Sequence, residues 1–168
     1  MAQDEGRFGR INDPHRCWAP KGIRPGAPRQ VVREYSYAYA AVCPDRGRMT
    51  CLILPYANTE MMNIFLREVS VDFADSFVLM LVDQAGWHRS NSLKVPMNIR
   101  LIPQPAHSPE LNPVEHVWQE VRKTSMANTA FTSLEQVERS VANGLVDLAN
   151  QPERLRSLTN FNYLNVHC

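Results

Sequence analysis

The stretch Ser76–Val82 (SFVLMLV) is apolar at almost every position and stops at Asp83. A segment this short and apolar on both faces of a pleat belongs in the middle of a sheet that is covered on both sides. It therefore requires strand neighbours and helical layers, and it delivers a carboxylate to the carboxyl edge of the sheet, where loops and ligands meet in α/β folds. The rest of the chain supplies the neighbours. Tyr35–Pro44 (YSYAYAAVCP) puts Tyr35, Tyr37 and Tyr39 on one face and small residues on the other. Asp45-Arg46-Gly47 offers turn chemistry, and Arg48–Pro55 (RMTCLILP) is a second β-prone run, so the three together predict a hairpin. Asn98–Ile102 (NIRLI) is a shorter strand that runs into Pro103 and Pro105, and Gln3–Gly9 reads as a first strand.

Helices fill the remainder. Asn58 can cap one from Thr59 to about Val71, where Met61, Ile64, Phe65 and Val69 recur at helical spacing. Asn112-Pro113 opens another to about Lys123, Ser133 caps a third to about Asn150, and Pro152 starts a short fourth. The order of a β meander, a helix, a buried strand, a short strand and then helices is α/β with a mixed sheet flanked by helices. An RNase-H-like arrangement fits that order, and a generic three-layer sandwich fits it too. At 168 residues, with 44% hydrophobic and 21% charged, the chain reads as a single domain over 1–168 with a packed core.

Charge and composition remove several classes. Lys+Arg 18 against Asp+Glu 17 leaves +1, which by itself argues for neither a nucleic-acid nor a membrane protein. No apolar run approaches the roughly twenty residues that cross a bilayer. Residues 1–15 hold charges and no apolar stretch, so no signal peptide is expected. Cys17, Cys43, Cys51 and Cys168 show no C-x-x-C spacing, against a zinc ribbon or redox pair, and a reduced cytosolic protein is the expectation. The balance is uneven, however. Cys17–Arg33 (CWAPKGIRPGAPRQVVR) is rich in proline and basic residues and reads as an irregular loop. Over 1–33 seven Lys/Arg face three acids, a local +4.

Three carboxylates stand apart: Asp4 in the first strand, Asp83 at the end of the buried one, and Glu115 in LIPQPAHSPELNPVEHVW. Two carboxylates ~4 Å apart at an effective dielectric near 20 repel by on the order of 4 kcal/mol. A trio is stable only if protons or cations neutralise it, and neutralising one member, such as Asp83, should then do the metal-free protein no harm. Oxygen-only donors favour Mg²⁺ or Mn²⁺. Each residue also has a purely structural explanation. An aspartate at a strand end is a common turn residue, and Asp4-Glu5 could be a solvated pair. Asn112-Pro113-Val114-Glu115 matches a capping box, with Glu115 reaching back to the Asn112 amide. His88 could be a hydrogen-bonded structural histidine, and Val114 with Trp118 is most simply core.

In order along the chain stand Gln3-Asp4-Glu5-Gly6-Arg7-Phe8-Gly9, Leu81-Val82-Asp83-Gln84-Ala85-Gly86-Trp87-His88 and Ser108-Pro109-Glu110-Leu111-Asn112-Pro113-Val114-Glu115. The combination resembles the catalytic domain of a DDE transposase of the mariner superfamily, in its bacterial insertion-sequence (IS-six-thirty type) branch, from residue 3 to about 160. The resemblance implies an RNase-H-like fold and a metal-binding acidic triad at Asp4, Asp83 and Glu115, with His88 and Asn112 as accompanying residues. It also implies two Mg²⁺ or Mn²⁺ ions, and DNA, both transposon ends and target, as partner. The activity implied is cleavage of DNA strands and transfer of a 3′-hydroxyl. Arg7, Lys21, Arg24 and Arg89 are the basic residues expected to meet phosphates. Homodimerisation, a bacterial cytoplasmic, nucleoid-associated location and no membrane association go with this reading. Two alternatives stay beside it: a nuclease of the same fold that only hydrolyses, and a non-autonomous remnant. Gln84 and Gly86 replace the usual Asn and Pro after the second acid, and the interval from Asp83 to Glu115 is shorter than in most members. Members also carry a helix-turn-helix region and a longer β-prone lead before the first acid. Here only Met1-Ala2-Gln3 stands there, so the expectation is a missing recognition module, a helix-turn-helix partner chain, and a loosely held Asp4.

Overall fold

A computed structural model of the chain describes residues 1–11, 16, 18–26, 30–106, 108–161 and 163. Cys17 and Cys168, and Asp13 and Arg29 among the charges counted over 1–33, lie outside the described residues. The strands β1 (Ala2–Ile11), β2 (Val31–Cys43), β3 (Arg48–Leu54), β4 (Val78–Val82) and β5 (Ile99–Pro103) form one sheet in the order β3-β2-β1-β4-β5. β1–β2 and β2–β3 are antiparallel, while β1–β4 and β4–β5 are parallel, so the sheet is mixed as expected.

The hairpin forms where the turn residues predict it. The Gly47 amide donates to the Pro44 carbonyl at 3.2 Å, and Gly47 has φ +58, with a carbonyl of Pro152 2.6 Å from where a Cβ would stand. No other residue type fits both conditions. β2 begins at Val31, so the last residues of the basic stretch are strand rather than loop, paired across to Ile11 past a register shift.

Among the described residues four α-helices pack on the sheet. Helix α1 (Thr59–Asp72) lies on one face, capped by the Asn58 side chain accepting from the Met61 amide. Its buried stripe is Met62, Phe65, Leu66 and Val69, so Phe65 and Val69 face the core as expected while Met62 and Leu66 take the places of Met61 and Ile64. It packs on Tyr39, Val78, Met80, Val82 and Ile99. On the other face α2 (Val114–Val121), α3 (Leu134–Ala149, capped by Ser133) and α4 (Pro152–Thr159) enclose a second core with Ala2, Phe8, Ala38, Ala40 and Val42. Helix α2 ends sooner than its pattern suggests and passes into a π-helical turn at Arg122–Met126.

β4 corrects the opening expectation. Val78, Met80 and Val82 are buried, but Leu79 is 46% exposed and Phe77 65%. Helices α2–α4 pack on β1, β2 and β3, and of β4 only Leu81 reaches their core, so one face of this strand is open. Among the described residues no helix is long and apolar enough to cross a membrane.

The strand carrying Asp4 is well paired. The Met1 ammonium donates to the Leu79 carbonyl at 2.7 Å, and the Leu81 amide donates to the Met1 carbonyl at 2.9 Å. Asp4 itself stands opposite Ala40. A loosely held Asp4 is not what the fold presents, because its strand is central and paired from its first residues.

Candidate functional site

Alternation decides the site. On β1 the even residues turn toward α2 and the odd ones toward α1. Gly6 lets the Trp118 indole lie directly on β1, since a Cβ there would stand 2.8 Å from both the Trp118 and Phe8 rings. From that position the Trp118 Nε1–H donates to Asp4 Oδ2 at 2.9 Å. Asn112 fixes the start of α2 beside the same strand. Its Nδ2 donates to the Gln3 carbonyl at 2.9 Å, and its Oδ1 accepts from the Val114 amide at 3.1 Å. The Asn112 amide donates to the Pro109 carbonyl, so no capping box forms with Glu115. Among the described residues nothing ties the Glu115 side chain by a hydrogen bond, and it opens into a cleft of about 470 Å³ that Asp4, Asp83, Gln104 and Asn112 also line.

The three acids thus reach one cleft from β1, from the end of β4 and from the first turn of α2, but their surroundings differ. Burial pushes the Asp4 carboxyl up to about 7; the Trp118 bond opposes the rise, while Glu115 and Glu5 add to it. Asp83 is held below the ordinary carboxylate range, first by its hydrogen bond to His88. Its Oδ1 pairs with His88 Nδ1 at 2.7 Å and accepts from the Ala85 amide at 2.9 Å, while Nδ1 also lies 3.2 Å from the Asp83 carbonyl; among the described residues Oδ2 is left as the uncommitted oxygen.

His88, in the short 3-10 turn Gly86–Arg89, is buried with Nε2 3.0 Å from Glu5 Oε1. Burial works against its charge, yet Asp83 and Glu5 outweigh it and raise its pKa to about 9. The imidazolium donates from both nitrogens at neutral pH. Glu5 was not singled out by sequence reasoning, yet its side chain is 5% exposed, and Oε1 also accepts from Gln3 Nε2 at 3.0 Å and Trp87 Nε1 at 3.3 Å. The signal was available: in a central strand a carboxylate next to an edge-facing Asp4 must enter the opposite layer, where a buried charge needs partners.

The expected DNA contacts are dispersed. Among the described residues none of Arg7, Lys21, Arg24 or Arg89 lines the cleft. The Arg7 guanidinium lies 4.7 Å over the Tyr35 ring, Arg89 is exposed directly after His88, and Lys21 and Arg24 are exposed between β1 and β2.

Among the described residues no group of three His, Cys, Asp or Glu side chains is gathered tightly enough to hold an ion as it stands. The chemistry of the donors nevertheless suits a hard divalent cation. They are all oxygen, Asp83 keeps one oxygen free, and Asp4 and Glu115 repel each other until something positive or a proton intervenes.

Comparison with known proteins gives the following. The family model described as DDE superfamily endonuclease matches residues 1–138. An uncharacterized protein y4pE/y4sA of Sinorhizobium fredii (strain NBRC 101917 / NGR234) is 42% identical over 126 residues, 74% of this chain and 93% of that protein. The Tcb1 transposase of a transposable element of Caenorhabditis briggsae is 30% identical over 82 residues, 44% of this chain and 28% of that one. Among solved structures, the Mos1 strand transfer complex aligns with TM-score 0.61 at 15% identity over 99% of this chain and 55% of that one. The Mos1 mariner paired end complex with Mn gives 0.60 at 16% identity over 95% and 55%, and the corresponding complex with Mg 0.54 at 17% over 94% and 55%. The chain therefore spans about half the length of these solved chains, and the likeness to them shows the RNase-H-like fold.

Proposed function

The chain belongs to the DDE superfamily endonucleases, and from this premise we propose that it is a domain of the mariner transposase type whose cleft cleaves DNA strands and transfers a 3′-hydroxyl with divalent metal held by Asp4, Asp83 and Glu115. The observation that carries the proposal is the convergence of these three carboxylates, from distant positions in the sequence, on one cleft. The chemistry supplied by a pair of Mg²⁺ or Mn²⁺ ions in such a site is activation of water or a 3′-hydroxyl and stabilisation of the leaving oxygen. The chain's own residues provide the positioning. Trp118 holds Asp4 by one oxygen, His88 and the Ala85 amide hold Asp83 by one oxygen, and Asn112 sets the helix start from which Glu115 projects. Recognition of particular transposon ends would come from a helix-turn-helix unit, and synapsis from pairing of two copies.

The test separates Glu115 as ligand from Glu115 as helix-start residue. Glu115→Gln preserves size and helix propensity, so its melting temperature in chelator is expected within about 2 °C of the parent, a change of well under ~1 kcal/mol. An amide is a poor ligand for a hard cation. Mn²⁺-dependent nicking of DNA by a chain joined to a helix-turn-helix module is therefore expected to fall to background. Retained nicking would return Glu115 to a structural role.

Binding of DNA by the chain alone rests on dispersed phosphate contacts, so it is expected to be weak and indifferent to sequence. With contacts from Arg7, Lys21, Arg24 and Arg89, log K should fall with log[salt] at a slope of about −3 to −4, and alanine at any one should reduce that slope by about 1. A footprint on one sequence by this chain alone would contradict this.

A further inference from the structure

Adjacent residues of β1 serve opposite layers: Asp4 enters the cleft, while Glu5 lies under it. Resting on the reading of Asp83 as a metal ligand, we infer that Glu5 is a positioning residue that acts on Asp83 through the His88 ring. The geometry supports a chain of fixed directions. Glu5 Oε1 is 3.0 Å from His88 Nε2, and His88 Nδ1 is 2.7 Å from Asp83 Oδ1. A ring held at one nitrogen by an oxygen from β1 and at the other by an oxygen just past the end of β4 cannot turn without breaking one contact. Glu5 is itself held from two further directions, by Gln3 from its own strand and by the Trp87 indole from the turn that carries His88. All three of its donors converge on the same oxygen, and the His88 and Glu5 side chains are 1% and 5% exposed, so water does not compete for them. Asp83 sits where β4 has just ended and its side chain is 43% exposed. With Oδ1 committed to the Ala85 amide at the cleft wall and to His88 behind it, the direction of Oδ2 depends on a ring that does not line the cleft. Outer partners of this kind typically change metal affinity 10–100-fold when removed.

The inference concerns where an acceptor oxygen stands, and two conservative variants separate position from charge. Glu5→Gln keeps an oxygen at the same reach and loses the charge. Glu5→Asp keeps the charge and withdraws the oxygen by one methylene. Free Mn²⁺ is titrated by electron paramagnetic resonance into the metal-free chain, each variant in the parent and in a His88→Ala background, with folding checked by thermal melting in chelator. The expected result is affinity within about 3-fold of the parent for Glu5→Gln and a loss of about 10-fold or more for Glu5→Asp. In the His88→Ala background Glu5→Asp should bring no further loss, because the route to Asp83 is already cut. Equal affinities for the Asp and Gln variants would overturn the inference, as would an undiminished loss without His88. Parent chain that binds no Mn²⁺, or that binds it as tightly after Asp83→Asn, would instead overturn the metal-site reading and this inference with it.

Discussion

Replacing Asp4 by asparagine is expected to stabilise the metal-free protein at pH 8 by about 2–4 kcal/mol, or roughly 5–15 °C in melting temperature, while removing the stabilisation that Mn²⁺ gives the parent. The sign follows from the titration. A carboxyl ionising near 3.8 in the unfolded chain and at about 7 in the folded one binds more protons when folded throughout that interval. Stability therefore falls as pH rises from about 4 to 7, and the variant, having no such proton to lose, should be flat there. The asparagine oxygen can still accept from Trp118, so the relief is not offset by an orphaned indole N–H. On repulsion within the trio alone, Asp83→Asn would melt no lower than the parent in chelator. The His88 imidazolium beside Asp83 reverses that expectation: Asp83→Asn should lower the melting temperature in chelator and serves as the contrasting control. Urea or thermal melts from pH 4 to 9 decide the matter; an Asp4→Asn curve parallel to the parent's would refute the buried, proton-holding Asp4.

Trp118→Ala carries the largest expected cost, about 3–5 kcal/mol. Trp118 is 1% exposed, meets Phe8 edge-on at 5.7 Å between ring centroids, and rests on Gly6, whose missing side chain leaves nothing nearby to fill the space. The variant also deprives Asp4 of the larger of the two hydrogen bonds that keep its ionisation from rising further, leaving that of the Glu5 amide. Trp118→Phe divides the two effects: most of the packing survives and the donor does not. It should cost less than the alanine variant in chemical denaturation and yet raise the Asp4 titration, followed by NMR, just as far. A loss below about 1 kcal/mol for Trp118→Ala would mean that the indole is not the wedge between β1 and α2.

What was legible in the chain is what local chemistry decides. The Asn58 and Ser133 caps and the Pro44–Gly47 turn depend on side chains within a few residues, and each forms where its pattern stands. Asp83 was legible because a run of apolar residues ending in an acid has few other uses. The exposure of Leu79 was not legible, since it depends on how far α2–α4 extend across the sheet, a property of helices remote in sequence. Asn112 and Glu115 were ambiguous for a different reason: capping box and cleft residue share one pattern. Only the competition for the Asn112 amide, won by the Pro109 carbonyl, separates them. Glu5 escaped because its meaning depends on His88 and Trp87, far along the chain, being folded beneath β1.

The division of Asp4 and Glu5 between two layers also makes this strand intolerant of insertion or deletion. Shifting β1 by one residue against β2 would exchange the two acids between the faces of the sheet, bringing the longer side chain against Trp118 and the shorter one under His88. Net charge would be unchanged, and a count of acidic residues would detect nothing. Yet the cleft would lose its acid of the right length, and His88 would face an oxygen one methylene too far away. The pairing of Gln3, Asp4 and Glu5 with Ala41, Ala40 and Tyr39 is therefore a reading frame for the site, set by the backbone and independent of any contact within the cleft.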